Sequence, residues 1–92
     1  MPSLFSIDGY RVFFWSAEGN EPIHVHVGKG KPSPNATKLW LTRGGGCIVA
    51  SNGSKIPTRE LDKLMRVIEA QHRYIESNWR DFFGDDAVRY YC

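Results

Sequence analysis

The sequence predicts an α+β protein: a small antiparallel sheet of about four strands packed by one long C-terminal amphipathic helix. In the first half of the chain, apolar and polar residues alternate in short runs separated by Gly, Asn and Pro, which is typical of half-buried strands. In the second half, from about residue 58 to 83, apolar residues recur every three or four positions, as on one face of a helix. We expect one α+β domain over residues 1–84 and a tail over residues 85–92.

Alternating runs define the strands. The first is expected over residues 5–16, although the Asp8-Gly9 turn signal inside it leaves open a separate short strand over residues 4–7. The second, third and fourth are expected over residues 23–27, 36–42 and 47–50. Successive side chains of a strand point to opposite faces. The face turned to the helix then consists of Val12, Phe14, Val25, Val27, Leu39 and Leu41.

A single helix is expected to begin near Pro57 or Thr58 and to end before Gly84, which is a natural C-terminal cap. Its periodic positions predict the residues that pack on the sheet: Leu64, Ile68, Ile75 and Trp79. The tail is acidic and then aromatic. It could fold back on the sheet or stay loose.

Composition limits the classes of function. The 92 residues carry a net charge of +2, which permits contact with nucleic acid but does not indicate it. Cys47 and Cys92 form neither a disulfide framework nor a CxxC pair, so we expect reduced thiols, a cytoplasmic location and no cysteine catalysis. The sequence contains no signal-peptide pattern and no run of about 18 apolar residues, so we expect no membrane association.

The sheet face turned away from the helix is the stronger indication of function. It is predicted to carry Arg11, Phe13, Trp15, His24, His26, Lys38 and Trp40, and the loop after the second strand adds Lys29 and Lys31. Aromatic rings between basic groups suit base stacking with phosphate contact. Trp and Arg are equally common anchors of protein interfaces. We expect a protein partner on this face, with RNA as an alternative and cover by the tail or by the second copy of a homodimer as another.

His24 and His26 stand two residues apart on a strand, so both imidazoles lie on one face. They could serve as acid and base in RNA cleavage, hold a metal ion, or be polar positions on an open face. Zinc needs at least one further ligand. The candidates are Glu21, His72, Cys47 or another carboxylate, and none stands at a diagnostic spacing. We therefore expect no metal site and no cofactor. His72, on the apolar stripe of the helix, is interpreted as a hydrogen-bonded core residue.

Four segments resemble a known family: the opening MPSLFSIDGYRVFFWS, then EPIHVHV, then KLWL, and the helix ending in NWRDFFG. Over roughly residues 1–84 they are similar to the small bacterial proteins grouped as domain of unknown function 4160. The most specific segment is EPIHVHV, which is close to that family's Pro-Pro-His-Val-His-Val signature with Ile23 in place of the second proline. The chain differs from the family in its Gly44-Gly45-Gly46 stretch and after Gly84.

The resemblance implies no settled activity. Genes of the family often look like members of two-gene cassettes, and a toxin–antitoxin function has been suspected. We interpret the chain as a small macromolecule-binding protein of a toxin–antitoxin-like or defence system, acting through the aromatic–basic face. The alternative is a toxin-type, metal-independent ribonuclease with His24 and His26 as its acid–base pair. A phage-type inhibitor built on the same scaffold would also fit the sequence.

Overall fold

The computed structural model describes residues 3–92, which fold into five strands and two α-helices. The strands are β1 (Ser3–Ile7), β2 (Tyr10–Phe13), β3 (His24–Lys29), β4 (Thr37–Leu41) and β5 (Cys47–Ser51), and the helices are α1 (Thr58–Ala70) and α2 (His72–Phe83). Each strand pairs antiparallel with the next along the chain, so the sheet is a meander with β3 at its centre. The first two residues of the expected domain lie outside the described part.

The α+β class is confirmed, but the sheet has five strands because the first predicted strand is a hairpin. Asp8 and Gly9 have φ values of 49° and 84°. Positive φ at both central residues is what a type I′ hairpin turn requires. Ile7 pairs with Tyr10 across this turn. The separate first strand that the sequence left open is therefore present as β1.

The expected unbroken helix is two helices, so that prediction is wrong. Gln71 separates them, with φ −100° and ψ 16°. Its N–H donates to the carbonyl oxygens of both Val67 and Ile68, which marks a local tightening toward 3₁₀ geometry. The next residue, His72, donates from Nε2 to the carbonyl oxygen of Thr42 at 2.9 Å. This bond ties the start of α2 to the sheet.

The hydrophobic core lies between the helices and one face of the sheet. The six strand residues predicted to face the helix are fully buried there, in one cluster with Leu64, Ile68, Ile75 and Trp79. The predicted division of the sheet into two faces is confirmed, because the alternating pattern was strong enough to fix it. Within residues 3–92, neither helix combines the length and apolar character that crossing a membrane requires.

The tail packs along one end of the sheet. After a 3₁₀ turn at Asp85–Ala87, the N–H of Ile23 donates to the carbonyl oxygen of Arg89 at 2.7 Å. The N–H of Arg43 donates to the carbonyl oxygen of Cys92 at 2.9 Å. Residues 89–92 therefore run past the start of β3 and the end of β4, which are neighbours in an antiparallel pair.

A polar turn fastens the chain between β5 and α1. The hydroxyl of Thr37, on β4, donates to Oδ1 of Asn52 at 2.6 Å. The same Oδ1 accepts the N–H of Ile56 at 3.0 Å, and Nδ2 of Asn52 donates to the Ile56 carbonyl at 2.9 Å. A Cβ on the next residue, Gly53, would collide with the carbonyl oxygen of Asn35. The turn therefore needs glycine for space rather than for an unusual φ.

We expect Gly53→Ala to destabilise the protein by about 1–3 kcal/mol, because the collision involves backbone that must shift. Gly44→Ala is the matched control, since among the described residues nothing lies within 4 Å of the Cβ it would add. Chemical denaturation followed by circular dichroism measures both. Equal stability of the two variants would contradict the close packing of this turn.

Candidate functional site

Strand β3 carries His24 and His26 on the face opposite the core, as the alternation predicted. The two residues are 0% and 6% exposed. The interpretation that they are polar positions on an open face is therefore wrong. Buried imidazoles must find partners within the protein, since water cannot serve them.

Aromatic side chains exclude water from both imidazoles. The His24 ring lies edge-on to Trp40 of β4 and Trp79 of α2, with ring centroids 5.5 Å and 5.3 Å apart. The His26 ring stacks on Phe13 of β2 at 5.5 Å. Phe13 is itself fully buried, so the ring predicted for an open binding face is part of the cover.

Glu18 completes the site, and we call Glu18, His24 and His26 the histidine–glutamate cluster. Two consecutive turns between β2 and β3 bring Glu18 back over the sheet. Its Oε1 lies 3.0 Å from Nε2 of His24, and its Oε2 lies 2.9 Å from Nε2 of His26. Oε1 also accepts the N–H of Trp15 at 2.7 Å, which fixes the carboxylate in place.

A carboxylate is a possible third ligand on sequence grounds, but residue spacing does not single out Glu18. The only signal was an acidic residue in the turn six and eight positions before the two histidines. Glu21, which was considered, instead accepts a hydrogen bond from Nζ of Lys38 at 2.6 Å. The geometry of the turns determines which of the two glutamates reaches the histidines, and residue spacing does not reveal that geometry.

Hydrogen bonding fixes the proton on the His24 ring. Nδ1 lies 2.9 Å from the carbonyl oxygen of Pro22, which can only accept, so Nδ1 carries the hydrogen. In a neutral ring Nε2 then presents a bare lone pair. Nε2 of His24 faces the carboxylate oxygen Oε1 of Glu18 at 3.0 Å. Among the described residues, Nδ1 of His26 is buried without a hydrogen-bond partner.

Burial and pairing act in opposite directions on the cluster. Burial raises the pKa of Glu18, but hydrogen bonds from His26 and from the N–H of Trp15, together with the nearby His24, outweigh it and leave that pKa lowered. Burial lowers the pKa of His26, and the bond and charge of Glu18 offset this only in part. At neutral pH the cluster therefore contains a carboxylate at Glu18 and a neutral His26.

Two residues predicted to bind a partner are engaged within the protein. The ammonium of Lys38 lies 4.3 Å from the centroid of the Trp40 ring. Tyr91 of the tail stacks on the same ring, with centroids 5.0 Å apart and planes 6° from parallel. The tail thus covers part of this face, which was one of the alternatives left open. Tyr91 itself remains 59% exposed.

The other predicted basic residues lie toward the far end of β3. Lys29 ends the strand, and its ammonium lies 4.9 Å from the centroid of the Tyr10 ring. Arg11 and Lys31 line a shallow cleft with Ser6, Gly9 and Gly30. The predicted binding residues therefore divide into an aromatic end and a basic end.

In the described part of the chain, one group of His, Cys, Asp or Glu side chains could hold a metal ion, because its potential ligand atoms all lie within 4.8 Å of one another. That group is the histidine–glutamate cluster. Cys47 and His72 lie elsewhere. His72 is buried and bonded to Thr42, which confirms its interpretation as a hydrogen-bonded core residue. The structure thus places a carboxylate beside the two histidines, a third group that residue spacing did not indicate.

Fold and site together define a small α+β protein with a buried histidine–glutamate cluster on the central strand of a five-stranded meander. The chain belongs to the family described as Domain of unknown function (DUF4160), which matches residues 9–80. The match contains all three residues of the cluster, and it confirms the family resemblance. No curated protein and no solved structure matches the chain.

The two free cysteines differ in reactivity. Burial, with a contribution from the Glu69 carboxylate, raises the pKa of the Cys47 thiol to about 11. Cys92 is exposed. Because the thiolate is the reactive form, we expect one thiol per chain to react with an aromatic disulfide reagent at pH 8, and two in denaturant. In Cys92→Ser the native-state reaction should vanish, and a persisting reaction would show that Cys47 is accessible.

Proposed function

We propose that this is a small macromolecule-binding protein of a toxin–antitoxin-like or defence system, and that its partner is another protein. The observation that supports this is the edge strand β5. It pairs with β4 on one side, and within the described chain no strand pairs with its other side. The unpaired N–H and carbonyl groups of such an edge are a template for an additional strand.

The side chains of β5 favour addition of an apolar strand. Ile48 and Val49 are 38% and 39% exposed. Ile48 is paired with Trp40 and so lies on the face of the histidine–glutamate cluster, whereas Val49 is paired with Leu39 on the core face. No charged residue occurs between positions 47 and 51. Natural sheet edges are usually protected by charges, so an edge of this kind indicates an interface.

The opposite edge of the sheet is better protected. The carbonyl oxygen of Leu4, on β1, accepts the hydroxyl of Tyr74 at 3.4 Å. The rings of Phe5 and Tyr74 lie 6.2 Å apart, which brings α2 alongside β1. The difference between the two edges is why we assign the partner to β5.

Charge favours an extended segment of a different protein over a second copy. Arg43 precedes β5 and Lys55 follows it, both are exposed, and neither has an acidic side chain within ion-pair distance among residues 3–92. An antiparallel second copy would bring the Arg43 end of one strand beside the Lys55 end of the other. A partner segment with acidic flanks would instead be attracted at both ends.

The aromatic end of the predicted face extends this surface, since Ile48 lies opposite Trp40 and the exposed ring of Tyr91 stacks on it. RNA is a weaker proposal. Base stacking needs free ring faces, and Phe13 is fully buried while Tyr91 already stacks on Trp40. We further propose a cytoplasmic location, as two unpaired cysteines suggest.

The test begins with affinity purification from the native host and identification of the bound protein, which is then produced in pure form. We expect Ile48→Lys and Val49→Lys each to weaken binding by at least about 30-fold, because a charge would enter an apolar interface. Ser77→Lys, on the exposed surface of α2, adds the same charge as a control. Calorimetry at fixed salt gives the affinities.

Amide hydrogen exchange supplies a second measurement, since strand addition should protect the amides of residues 48–51. Unchanged affinity in both β5 variants, or no added protection there, would exclude β5 as the binding edge. Sedimentation of the isolated protein tests whether a second copy of the chain binds at β5 instead. If the protein is a dimer and Val49→Lys dissociates it, then β5 pairs with a second copy and the proposal of a different protein partner is wrong.

A toxin-type ribonuclease is the second candidate, because Glu18 supplies the third group that could orient His26. Burial opposes it. The side chains of His24 and His26 are 0% and 7% exposed, so a phosphate cannot reach His24 without rearrangement.

We expect no RNA cleavage by the wild-type protein in a metal-free assay. If cleavage occurs and His26→Gln reduces its rate by about 10²–10⁴, the acid–base mechanism is correct and the binding proposal is not. His72→Gln is the control histidine, because its amide can still donate to the carbonyl of Thr42.

A further inference from the structure

We infer that the histidine–glutamate cluster is a zinc-binding site. Its protein ligands would be Nε2 of His24, a ring nitrogen of His26 and the carboxylate of Glu18. All three ligand atoms lie within 4.8 Å of one another. Two imidazoles and one carboxylate are ordinary ligands for Zn²⁺, and a water would take the fourth tetrahedral position.

The orientation of the His24 ring is the main argument. Nδ1 donates to the carbonyl oxygen of Pro22, so Nε2 is the nitrogen that could bind a cation. A histidine whose second ring nitrogen is held by a carbonyl is the usual arrangement around a bound metal. His24 is fully buried, and its Nε2 is directed at Oε1 of Glu18, 3.0 Å away.

The distances leave room for the ion after a small adjustment. Ligands about 2.0–2.1 Å from tetrahedral zinc lie roughly 3.3 Å from one another. Glu18 is 3.0 Å and 2.9 Å from the two imidazoles, so those two separations would widen by a few tenths of an ångström. The ligand atoms all lie within 4.8 Å of one another, and any wider pair would close to the same spacing. Glu18 is on a turn and its side chain is 14% exposed, which gives the ion a path from solvent and room for that adjustment.

The charges around the cluster are compatible with a cation. Glu18 contributes one negative charge at the site itself. The nearest positive side chain is Lys38, which is paired with His26 across β3 and β4. Its ammonium is neutralised by Glu21 at 2.6 Å.

Zinc at this site would fasten the turn between β2 and β3 to the centre of the sheet. Zinc would join Glu18 to two residues of β3, so binding should stabilise the folded state. This role does not depend on which partner β5 binds, and the two proposals fail separately.

The test uses protein freed of metal by a chelator and then titrated with Zn²⁺ by calorimetry, and with Co²⁺ by visible absorption. We expect one ion per chain, with a dissociation constant of about 1 μM or tighter. Glu18→Gln and His26→Gln should each weaken binding by more than about 100-fold, since even residues that only support a ligand cost 10–100-fold. His72→Gln should bind as the wild type does.

Thermal melts separate loss of the site from loss of the fold. Zn²⁺ at 100 times its dissociation constant should raise the Tm of the wild-type protein by about 10–20 °C, with no shift for Glu18→Gln. Circular dichroism should show native spectra for the metal-free variants. Absence of saturable Zn²⁺ binding by the wild type, or binding retained by Glu18→Gln, would overturn the inference, as would preference for Mg²⁺ over Zn²⁺.

Discussion

Burial of β3 on both faces is the constraint on which the rest of the structure depends. Residues 24–27 of this central strand are at most 6% exposed. On the core face the residues are valines, and packing alone satisfies them. On the other face they are imidazoles, which cannot be taken out of water without partners. The turn carrying Glu18, the carbonyl of Pro22 and the surrounding aromatic rings all serve this requirement.

Strand β4 connects the two regions to which we assign function. Trp40 is paired with His24 on one side and with Ile48 on the other. Its ring touches His24 and Tyr91, with centroids 5.5 Å and 5.0 Å away. The histidine–glutamate cluster and the free edge therefore share one side chain. A rearrangement of His24 would shift the Trp40 ring and so change the surface beside β5.

Much of the scaffold follows from local patterns. Period-two alternation gave both faces of the sheet, and the three-and-four spacing gave the helical residues of the core. The break at Gln71 did not follow, since neither proline nor glycine marks it. The cluster followed only in part. Alternation placed His24 and His26 together, but Glu18 joins them through the path of a turn, and Tyr91 covers Trp40 through the path of the tail. Contacts of that kind depend on tertiary packing, which residue spacing does not record.

The three tryptophans of the chain all lie beside the two histidines. Trp79 and Trp40 contact His24, and Trp15 lies 6.4 Å from His26. A protonated imidazole quenches the fluorescence of a neighbouring indole, and so does a paramagnetic ion. Intrinsic emission of this protein should therefore report protonation of the two histidines, and would report Co²⁺ bound in place of Zn²⁺ at the proposed site, without an added label.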